Sequence, residues 1–526
     1  MNPSELEELK KGGVVKLKGK DMFSVWVKAV CDNMDAVKLR KVAEIAEKYA
    51  KGVILFTSRQ FPIIPFVQLN DIQTAKDELE KVNLVLDRCG ARVRNGDVCY
   101  DSKLCEYAVL NPIDLGGKLD SFWTNDRGGF KIKTSIAGCE RQCTSPQVLA
   151  DLGFVAREEK DVKGYDVYLG GKLGLEPFVG LNIAKLLSEE QCVALVENYV
   201  NFIRKEGKPG ERSANLIRRL GAETVKAAVT KDLDKAVKLT VRECDTKQSK
   251  TADKEHTIAR FKAINGELTS AQVKVLADIA EKHGLGFIHF SVRGGPEVPG
   301  IKKSELSGIL KDAADKGLEF LDRGVDNIQS CFGRYCTNGG FDVQDLLCKV
   351  DKLVEKVGLS DLNIKISGSG CPNSCGISLL SDIGYSGVVL PVVVSEKCNG
   401  CGICPKACVV KAIDMADGKA IINEERCRNC DFCVKSCPFD AIVEKKRGIA
   451  VYAGGVGPHF KDDNYPGGVK LAEKVADFID EAEALRITEV LLKIIKEKNK
   501  NMRTIMDEEG VDTIKTAIQA QKGRSL

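Results

Sequence analysis

Apolar and polar positions fall into two patterns along this chain, and the pair arrives twice in the same order. Residues 40 to 52, RKVAEIAEKYAKG, carry an amphipathic helical pattern that ends at a glycine. The next stretch, VILFTSR, reads as an apolar strand closed by Arg59. Residues 273 to 293 do the same, with VKVLADIAEKHG followed by an apolar run and Arg293. The correspondence continues. RCGARVRNGDVCYDSKLC matches LDRGVDNIQSCFGRYC, and FKIKTSIAGCERQCTSPQVLADLGFVA matches IKISGSGCPNSCGISLLSDIGYSG. GYDVYLGGKLG matches GIAVYAGGVGP, and helical segments follow both. Repetition on this scale predicts one architecture built twice. Strands alternate with helical patterns inside each copy, which predicts an α+β fold of two pseudo-symmetric repeats with mixed sheets.

One stretch breaks the repeat. Residues 398 to 408 read CNGCGICPKAC and residues 427 to 438 read CRNCDFCVKSCP. This C-x2-C-x2-C-x3-C spacing, given twice, is that of bacterial ferredoxins with paired [4Fe-4S] clusters, in which the fourth cysteine of each run serves the other cluster. Cys398, Cys401, Cys404 and Cys437 are expected to hold one cluster, and Cys427, Cys430, Cys433 and Cys408 the other. The module lies inside the second copy, so it is an insertion. The expected divisions are a first repeat over 1–242, a linker over 243–257, and a second repeat over 258–395 that is completed over 446–526 around a ferredoxin domain at 396–445.

Composition narrows the chemistry. The chain has 526 residues, a net charge of +4 and 29% charged residues. Near-balanced charge gives no broad basic face for nucleic acid, and no run of about 18 apolar residues suggests a membrane span. The N-terminus lacks the apolar stretch of a signal peptide, so a cytoplasmic location is expected. Twenty-one cysteines in such a chain point to metal or redox chemistry rather than disulfides. Five of them, Cys31, Cys89, Cys192, Cys244 and Cys348, stand singly and read as ordinary small side chains. Of the four histidines, only His459 in GGVGPHF is a pocket candidate.

Eight further cysteines form two quartets, one per copy. Cys99 and Cys105 precede Cys139 and Cys143; Cys331 and Cys336 precede Cys371 and Cys375. Two pairs that close neighbouring segments can converge on four-coordinate ligation, for which a [4Fe-4S] cluster and zinc both remain open on spacing alone.

The order C-x5-C then C-x3-C, the second pair in a GC context before DLG or DIG, resembles the siroheme and [4Fe-4S] signature of sulfite and nitrite reductases. The inserted ferredoxin is similar to that of dissimilatory sulfite reductase subunits. The resemblance implies siroheme, whose carboxylates need many donors. It points to Thr57, Arg59 and Gln60 in FTSRQ, to Arg293 at the matching place, and to the turns Gly170, Gly171, Lys172 and Gly454, Gly455. It also implies that Arg94, Lys131 and Lys133 hold and protonate the substrate anion; the two lysines share one strand face by the period-two rule. In the other copy, Arg260, Lys262 and Lys365 take the corresponding places. The last cysteine of a quartet, Cys375 or Cys143, bridges cluster and siroheme iron in the family.

Two departures stand out. Cys331 and Cys336 are spaced C-x4-C, one residue short, and the first copy has Trp26 and Lys28 where the second has Arg260 and Lys262. The implied activity is six-electron reduction of sulfite to sulfide, with nitrite to ammonia as the alternative. A non-reductase iron-sulfur protein for electron transfer or sulfur handling is the third reading. The electron donor is expected to be a separate ferredoxin or reductase subunit, and a homo- or hetero-oligomer is compatible with this.

Overall fold

The computed structural model describes residues 1–126, 128–239, 244, 255–321, 325, 327–359, 362–457 and 468–521. The expected linker, apart from Cys244 and residues 255–257, and His459 lie outside the described residues. The chain forms two compact units, and they do not follow the repeat boundaries. One takes the described residues of 1–172 and 177–322; the other takes those of 173–176, 323–457 and 469–526.

In the first unit the opening segments of both copies are built into each other. Strand Asn33–Asp35 pairs antiparallel with Phe287–Phe290 of the second copy, with Ile288 opposite Met34. Strand Glu267–Thr269 pairs antiparallel with Val53–Phe56 of the first copy, with Leu268 opposite Ile54. Each exchanged strand runs straight into a helix, and the sequence marks each start with a cap. Asp35 accepts from the Lys38 N–H ahead of Ala36–Tyr49. Thr269 and Gln272 form a capping box ahead of Ser270–His283. These two helices pack on each other through Leu39, Val42, Leu276 and Ala280, all fully buried. Arg40 bonds Asp278 at 2.8 Å and Lys274 bonds Glu47 at 2.5 Å along their edges. The repeats are therefore interlocked rather than strung in series.

His289 lies on one of the exchanged strands, 3% exposed, with Nδ1 3.0 Å from Asn33 Oδ1 and its ring 4.3 Å from that of Tyr100. Burial pulls its pKa down to about 3 from 6.5. The folded state keeps the ring neutral. Below the ordinary histidine value the unfolded chain binds a proton that the folded chain refuses, so stability is lost as pH falls from about 6.5 towards about 3. The slope expected from this residue is at most about 1.4 kcal/mol per pH unit. Denaturant unfolding of the wild type and of His289→Phe at about pH 7 and about pH 5 checks this; the substitution flattens the dependence, and the difference isolates the histidine from nearby carboxyls.

Each copy then completes a five-stranded mixed sheet of the same design. In the first the order is Leu181–Leu187, Val162–Leu169, Leu152–Glu159, Thr134–Ala137, Asp97–Val98. In the second it is Glu473–Ile479, Ile442–Ala453, Ile383–Val393, Ile366–Ser369, Gln329–Ser330. The last three strands in each run parallel and the others antiparallel. Helices Glu189–Glu206 and Glu481–Lys498 cover their sheets with buried faces that include Leu195, Tyr199, Val490 and Leu491. The α+β expectation with mixed sheets holds.

The inserted module takes the place of a hairpin turn. In the first copy, strands Leu152–Glu159 and Val162–Leu169 are joined by Lys160 and Asp161, both at positive φ as a two-residue turn requires. In the second copy the equivalent strands extend to Val393 and from Ile442, paired to their ends, and the ferredoxin-like segment lies between them. It folds as hairpin Ile413–Ala416 and Lys419–Ile422 with two short helices, Ile403–Ala407 and Phe432–Ser436. Among the described residues, no helix is long and apolar enough to cross a membrane. Cys31 and Cys244, expected to stand alone, are joined as a disulfide, a correction to the reading of all five single cysteines as ordinary side chains.

Candidate functional site

Both quartets sit where parallel strands end. Cys99 follows Asp97–Val98, and Cys139 comes two residues after the adjacent strand Thr134–Ala137. Cys331 follows Gln329–Ser330, and Cys371 comes two residues after Ile366–Ser369. Carboxyl ends of parallel strands are where open sheets place ligands, and neighbouring strands bring the two pairs together. Other thiols of each quartet lie close enough to act on Cys99 and on Cys331. Burial first, then the thiols of Cys143, Cys105 and Cys139, push Cys99 well above the usual thiol range. Burial, Cys375 and Cys336 push Cys331 up to about 12. Such thiols stay protonated until metal displaces the proton.

Each cup has its own backbone donor at the equivalent place. The N–H of Gly138 bonds Cys99 Sγ at 3.0 Å, and that of Gly370 bonds Cys331 Sγ at 3.3 Å. Backbone N–H donors of this kind tune and hold cluster thiolates. The missing residue between Cys331 and Cys336 is absorbed by a 3-10 turn over Gly333–Tyr335. Gly333 at φ +37° allows it, since a Cβ there would fall 2.2 Å from Gln344 Oε1. In each cup the last thiol, Cys143 or Cys375, is the exposed one, whereas Cys99 and Cys331 are buried. Among the described residues no three His, Cys, Asp or Glu side chains gather tightly enough to bind a single ion. Each quartet is a cup of four thiols, buried at its first member and exposed at its last.

The ferredoxin-like module shows the same convergence, interleaved. Cys404 is pushed up by burial and then by Cys398, Cys401 and Cys437. Cys433 is pushed up to about 12 by burial, Cys430, Cys427 and Cys408. Each fourth cysteine receives an N–H from the residue four places on, Ala412 to Cys408 at 3.2 Å and Ala441 to Cys437 at 3.3 Å. These are the two groupings expected from spacing.

Basic residues of the first copy gather around an acid that the sequence reading missed. Asp97 is 1% exposed and receives Arg59 Nη1 at 3.4 Å. Burial raises its pKa, while Arg59, Lys133 and Arg94 pull the other way. Lys131 and Lys133, expected to share a strand face, lie just ahead of strand Thr134–Ala137 on either side of buried Ile132, and both are half-buried. The Lys133 backbone N–H bonds Asp151 Oδ2 at 3.0 Å, and Asp151 is itself held by Arg212 at 2.9 Å and Ser213 Oγ at 2.6 Å. Burial, then the charges of Arg59 and Lys131, drive Lys133 well below the usual lysine range. The signal for Asp97 was an acidic residue two positions before a ligand cysteine and three after Arg94, and such a group must be paired if buried.

The fit to a carboxylate-rich macrocycle is testable in the donors. Arg59 Nε and Arg94 Nε are buried without a hydrogen-bond partner, a state that a polar guest relieves. Arg59 is the residue type such a group needs, while Arg94, Lys131 and Lys133 are those expected to meet the substrate anion. Other expected residues are spent inside the protein. Gln60 is fully buried and donates to Asp32 Oδ2 at 2.7 Å and to the Phe290 carbonyl at 3.0 Å, so it staples the interlocked halves. Thr57 closes its own turn, accepting from the Gln60 N–H through its carbonyl and from the Arg59 N–H through Oγ1. Arg94 also donates to the Arg88 carbonyl and, at 3.3 Å, to Cys89 Sγ.

Lys28 does not replace the missing arginine. It is buried, paired with Asp120, and lies 3.3 Å from the Trp123 ring centroid. The turn glycines meet protein, not open space. A Cβ on Gly171 would lie 2.4 Å from the Gln147 carbonyl oxygen and one on Gly455 2.5 Å from that of Leu379. Their neighbours Gly170 and Gly454 donate to the Asp151 and Asp382 carbonyls at 2.8 and 3.0 Å. Lys172 bonds Asn215 Oδ1 at 3.0 Å. In the second copy, Arg260 is half-exposed beside Glu297 at 3.4 Å and Lys262 faces Glu319 at 3.4 Å. Arg293 sits half-buried in a turn closed by Ser291 and Gly295. The Lys365 N–H bonds Asp382 Oδ2 at 2.9 Å, the counterpart of Lys133 and Asp151.

Comparison with known proteins agrees with this layout. The nitrite and sulphite reductase 4Fe-4S domain matches residues 89–237. The nitrite/sulfite reductase ferredoxin-like half domain matches 15–82 and 250–316, and a 4Fe-4S dicluster domain matches 397–441. The chain is 38% identical over 188 residues to a coenzyme F420-dependent sulfite reductase of Methanocaldococcus jannaschii, covering 35% of this chain and 30% of that one. It is 23% identical over 404 residues to an assimilatory ferredoxin-dependent nitrite reductase of Haloferax mediterranei, covering 67% and 68%. The chain thus spans less than a third of the first relative's length. The NirA protein of Mycobacterium tuberculosis shares the fold, with a TM-score of 0.72 at 15% identity over 98% of this chain and 92% of that one. Repeated half domains, a cluster domain and a dicluster insertion, each where the geometry has them, place this chain in the nitrite and sulfite reductase family.

Proposed function

We propose that the chain reduces sulfite to sulfide, taking six electrons through its ferredoxin-type clusters from an external protein donor in the cytoplasm. One observation carries this reading. Lys131 and Lys133 lead into strand Thr134–Ala137, and burial first, then the charges of Arg59 and Lys131, drive the pKa of Lys133 down. A site of this kind attracts a small dianion and answers it with a proton donor.

When bound, siroheme with its neighbouring cluster supplies electrons and a Lewis-acidic iron. The rest is done by this chain's residues. Arg59, fixed by Asp97 and by the Asn95 carbonyl at 3.2 Å, presents its guanidinium in one orientation. Lys131 adds charge that offsets the second negative charge of sulfite. Lys133 Nζ gives a proton to an oxygen of the anion as its bond to sulfur breaks, and the burial that lowers its pKa makes the ammonium a readier donor. The exposed thiol of a cup, Cys375 or Cys143, is the one open to a second metal.

Nitrite reduction to ammonia is the second reading, supported by the Haloferax relative whose match spans two thirds of this chain. A visible spectrum and paired assays test the proposal. Anaerobically purified protein shows a reduced-porphyrin band over the iron-sulfur shoulder and turns over sulfite faster than nitrite. A full iron complement without that band leaves only the non-reductase reading; a higher kcat/KM for nitrite selects the second.

A further inference from the structure

The two cups follow the same backbone course, but different side chains lie behind it. In the second copy, the segment that carries Cys371 and Cys375 is backed by four serines whose hydroxyls meet. Ser378 Oγ is the hub. It donates to Ser369 Oγ at 3.4 Å and lies 3.0 Å from Ser374 Oγ and 3.4 Å from Ser386 Oγ. All four side chains are buried. A hydroxyl has one proton to give and two lone pairs to accept with, so three hydroxyl neighbours use its capacity in full. Two members also hold the cysteine loop itself: the Gly376 N–H donates to Ser369 Oγ at 3.0 Å, and the Leu379 N–H donates to Ser374 Oγ at 3.3 Å.

That loop needs holding. Ser374 and Ile377 both have left-handed backbone, with φ of +50° and +57°. For a buried, β-branched residue such as Ile377 this region is strained, and the strain persists only where the surroundings impose it. Cys375, the exposed thiol of its cup, lies between the two positions. The first copy bends at the same places, Gln142 and Ser145, with Cys143 between them. Its side chains differ. Ala137 pairs with Val155 in the sheet where Ser369 pairs with Ser386, and Pro146 opens a short helix where Ser378 opens a 3-10 turn. Alanine, valine and proline leave no side-chain oxygen for such a hub. The hydroxyls of Ser135 and Thr144 there donate to the main-chain carbonyls of Thr144 and Ile136.

We propose that Ser369, Ser374, Ser378 and Ser386 form a hydroxyl network that raises the reduction potential of the cluster held by Cys331, Cys336, Cys371 and Cys375. The proposal rests on that quartet holding a cluster and not on the identity of the substrate. A cluster that takes up one electron gains one negative charge; no bond forms or breaks, and no proton changes owner. Dipoles that can turn towards such a charge stabilise it, and more so away from water. Ser378 can offer its one proton to any of three neighbours, so the network can change direction without giving up a bond. The two loop anchors keep the segment between Cys371 and Cys375 in place while it does so. Hydrogen bonding and burial around the ligands are what set a cluster's potential. The four serines are positioning residues, acting through the thiols.

The test is an EPR-monitored redox titration of the full holoprotein, in which the signal lost in Cys371→Ala marks the second cup and the one lost in Cys139→Ala marks the first. Ser386→Ala removes a hydroxyl that meets the hub and leaves both loop anchors in place. At a fixed potential it lowers the reduced-to-oxidised ratio of the second cup's cluster about tenfold, a shift of about 59 mV for one electron. Ser378→Ala lowers it at least as much. Ser386→Thr, which keeps the oxygen on a strand that suits a β-branched residue, titrates as wild type. The first cup's signal stays where it is in all three variants. Iron content and the intensity of the second cup's signal establish that each variant is loaded; if Ser378→Ala loses that cluster, the two substitutions at Ser386 carry the test. A midpoint unchanged in either loaded alanine variant, a threonine variant that shifts as the alanine one does, or an equal shift of both cups overturns the proposal. The expected shift seen in protein without a siroheme band refutes the reductase reading and leaves this one standing.

Discussion

Lys133→Met lowers sulfite turnover by roughly 10²–10³, the loss typical of removing one preorganised donor from a charge-stabilising site, with iron content unchanged. The expectation follows from how the residue is held. Its backbone is tied to Asp151, which is anchored by Arg212 and Ser213, so the strand survives the loss of the ammonium. Lys133→Arg separates charge from proton. A guanidinium keeps the attraction for the anion but releases no proton in this pH range, so KM stays close to wild type while kcat falls. The pH profile gives the sign. Lys133 acts while protonated, so activity declines as pH rises through its depressed pKa, and the arginine variant loses that limb. Steady-state rates across pH for wild type, Lys133→Met and Lys133→Arg check this. Unchanged kcat in both variants removes Lys133 from the chemistry.

Cys375→Ala abolishes turnover, whereas Cys143→Ala leaves a measurable fraction. The cups are built alike, so the difference comes from electron supply. The ferredoxin-like module is inserted in the sheet that carries Cys331, Cys336, Cys371 and Cys375, and Asn373 holds the Cys375 thiol. Iron analysis and EPR accompany the assay, because each substitution removes one thiol from its cup. The opposite ranking assigns the working cup to the first copy.

The cysteine quartets were legible because ligand spacing is a covalent constraint, and the turn that shortens one of them changes the path between Cys331 and Cys336 but not their destination. The lysine pair was legible only as two cations ahead of an apolar run; the strand itself begins after them, at Thr134. Gln60 and Lys28 were not, since what they bond lies far along the chain: Gln60 reaches Phe290 across the interlock, and Lys28 reaches Asp120. Sequence similarity between copies suggested two bodies in series. The exchanged strands Asn33–Asp35 and Glu267–Thr269 override that, because pairing is decided by burial and register across the whole unit. The glycines at 170, 171, 454 and 455 were read as room for an anion. Gly171 and Gly455 instead let backbone lie on backbone, and Gly170 and Gly454 lie against the side chains of Ile217 and Phe178 and of Met506.

The inserted module joins its host through two strand ends that lie side by side, Val393 opposite Ile442. Ends about 5 Å apart in a ladder accept any guest whose own termini are adjacent, without stretching the sheet that hosts it. The first copy keeps the same socket closed by Lys160 and Asp161. A lineage that changes its source of electrons can therefore exchange the guest at one hairpin tip and leave the host unaltered.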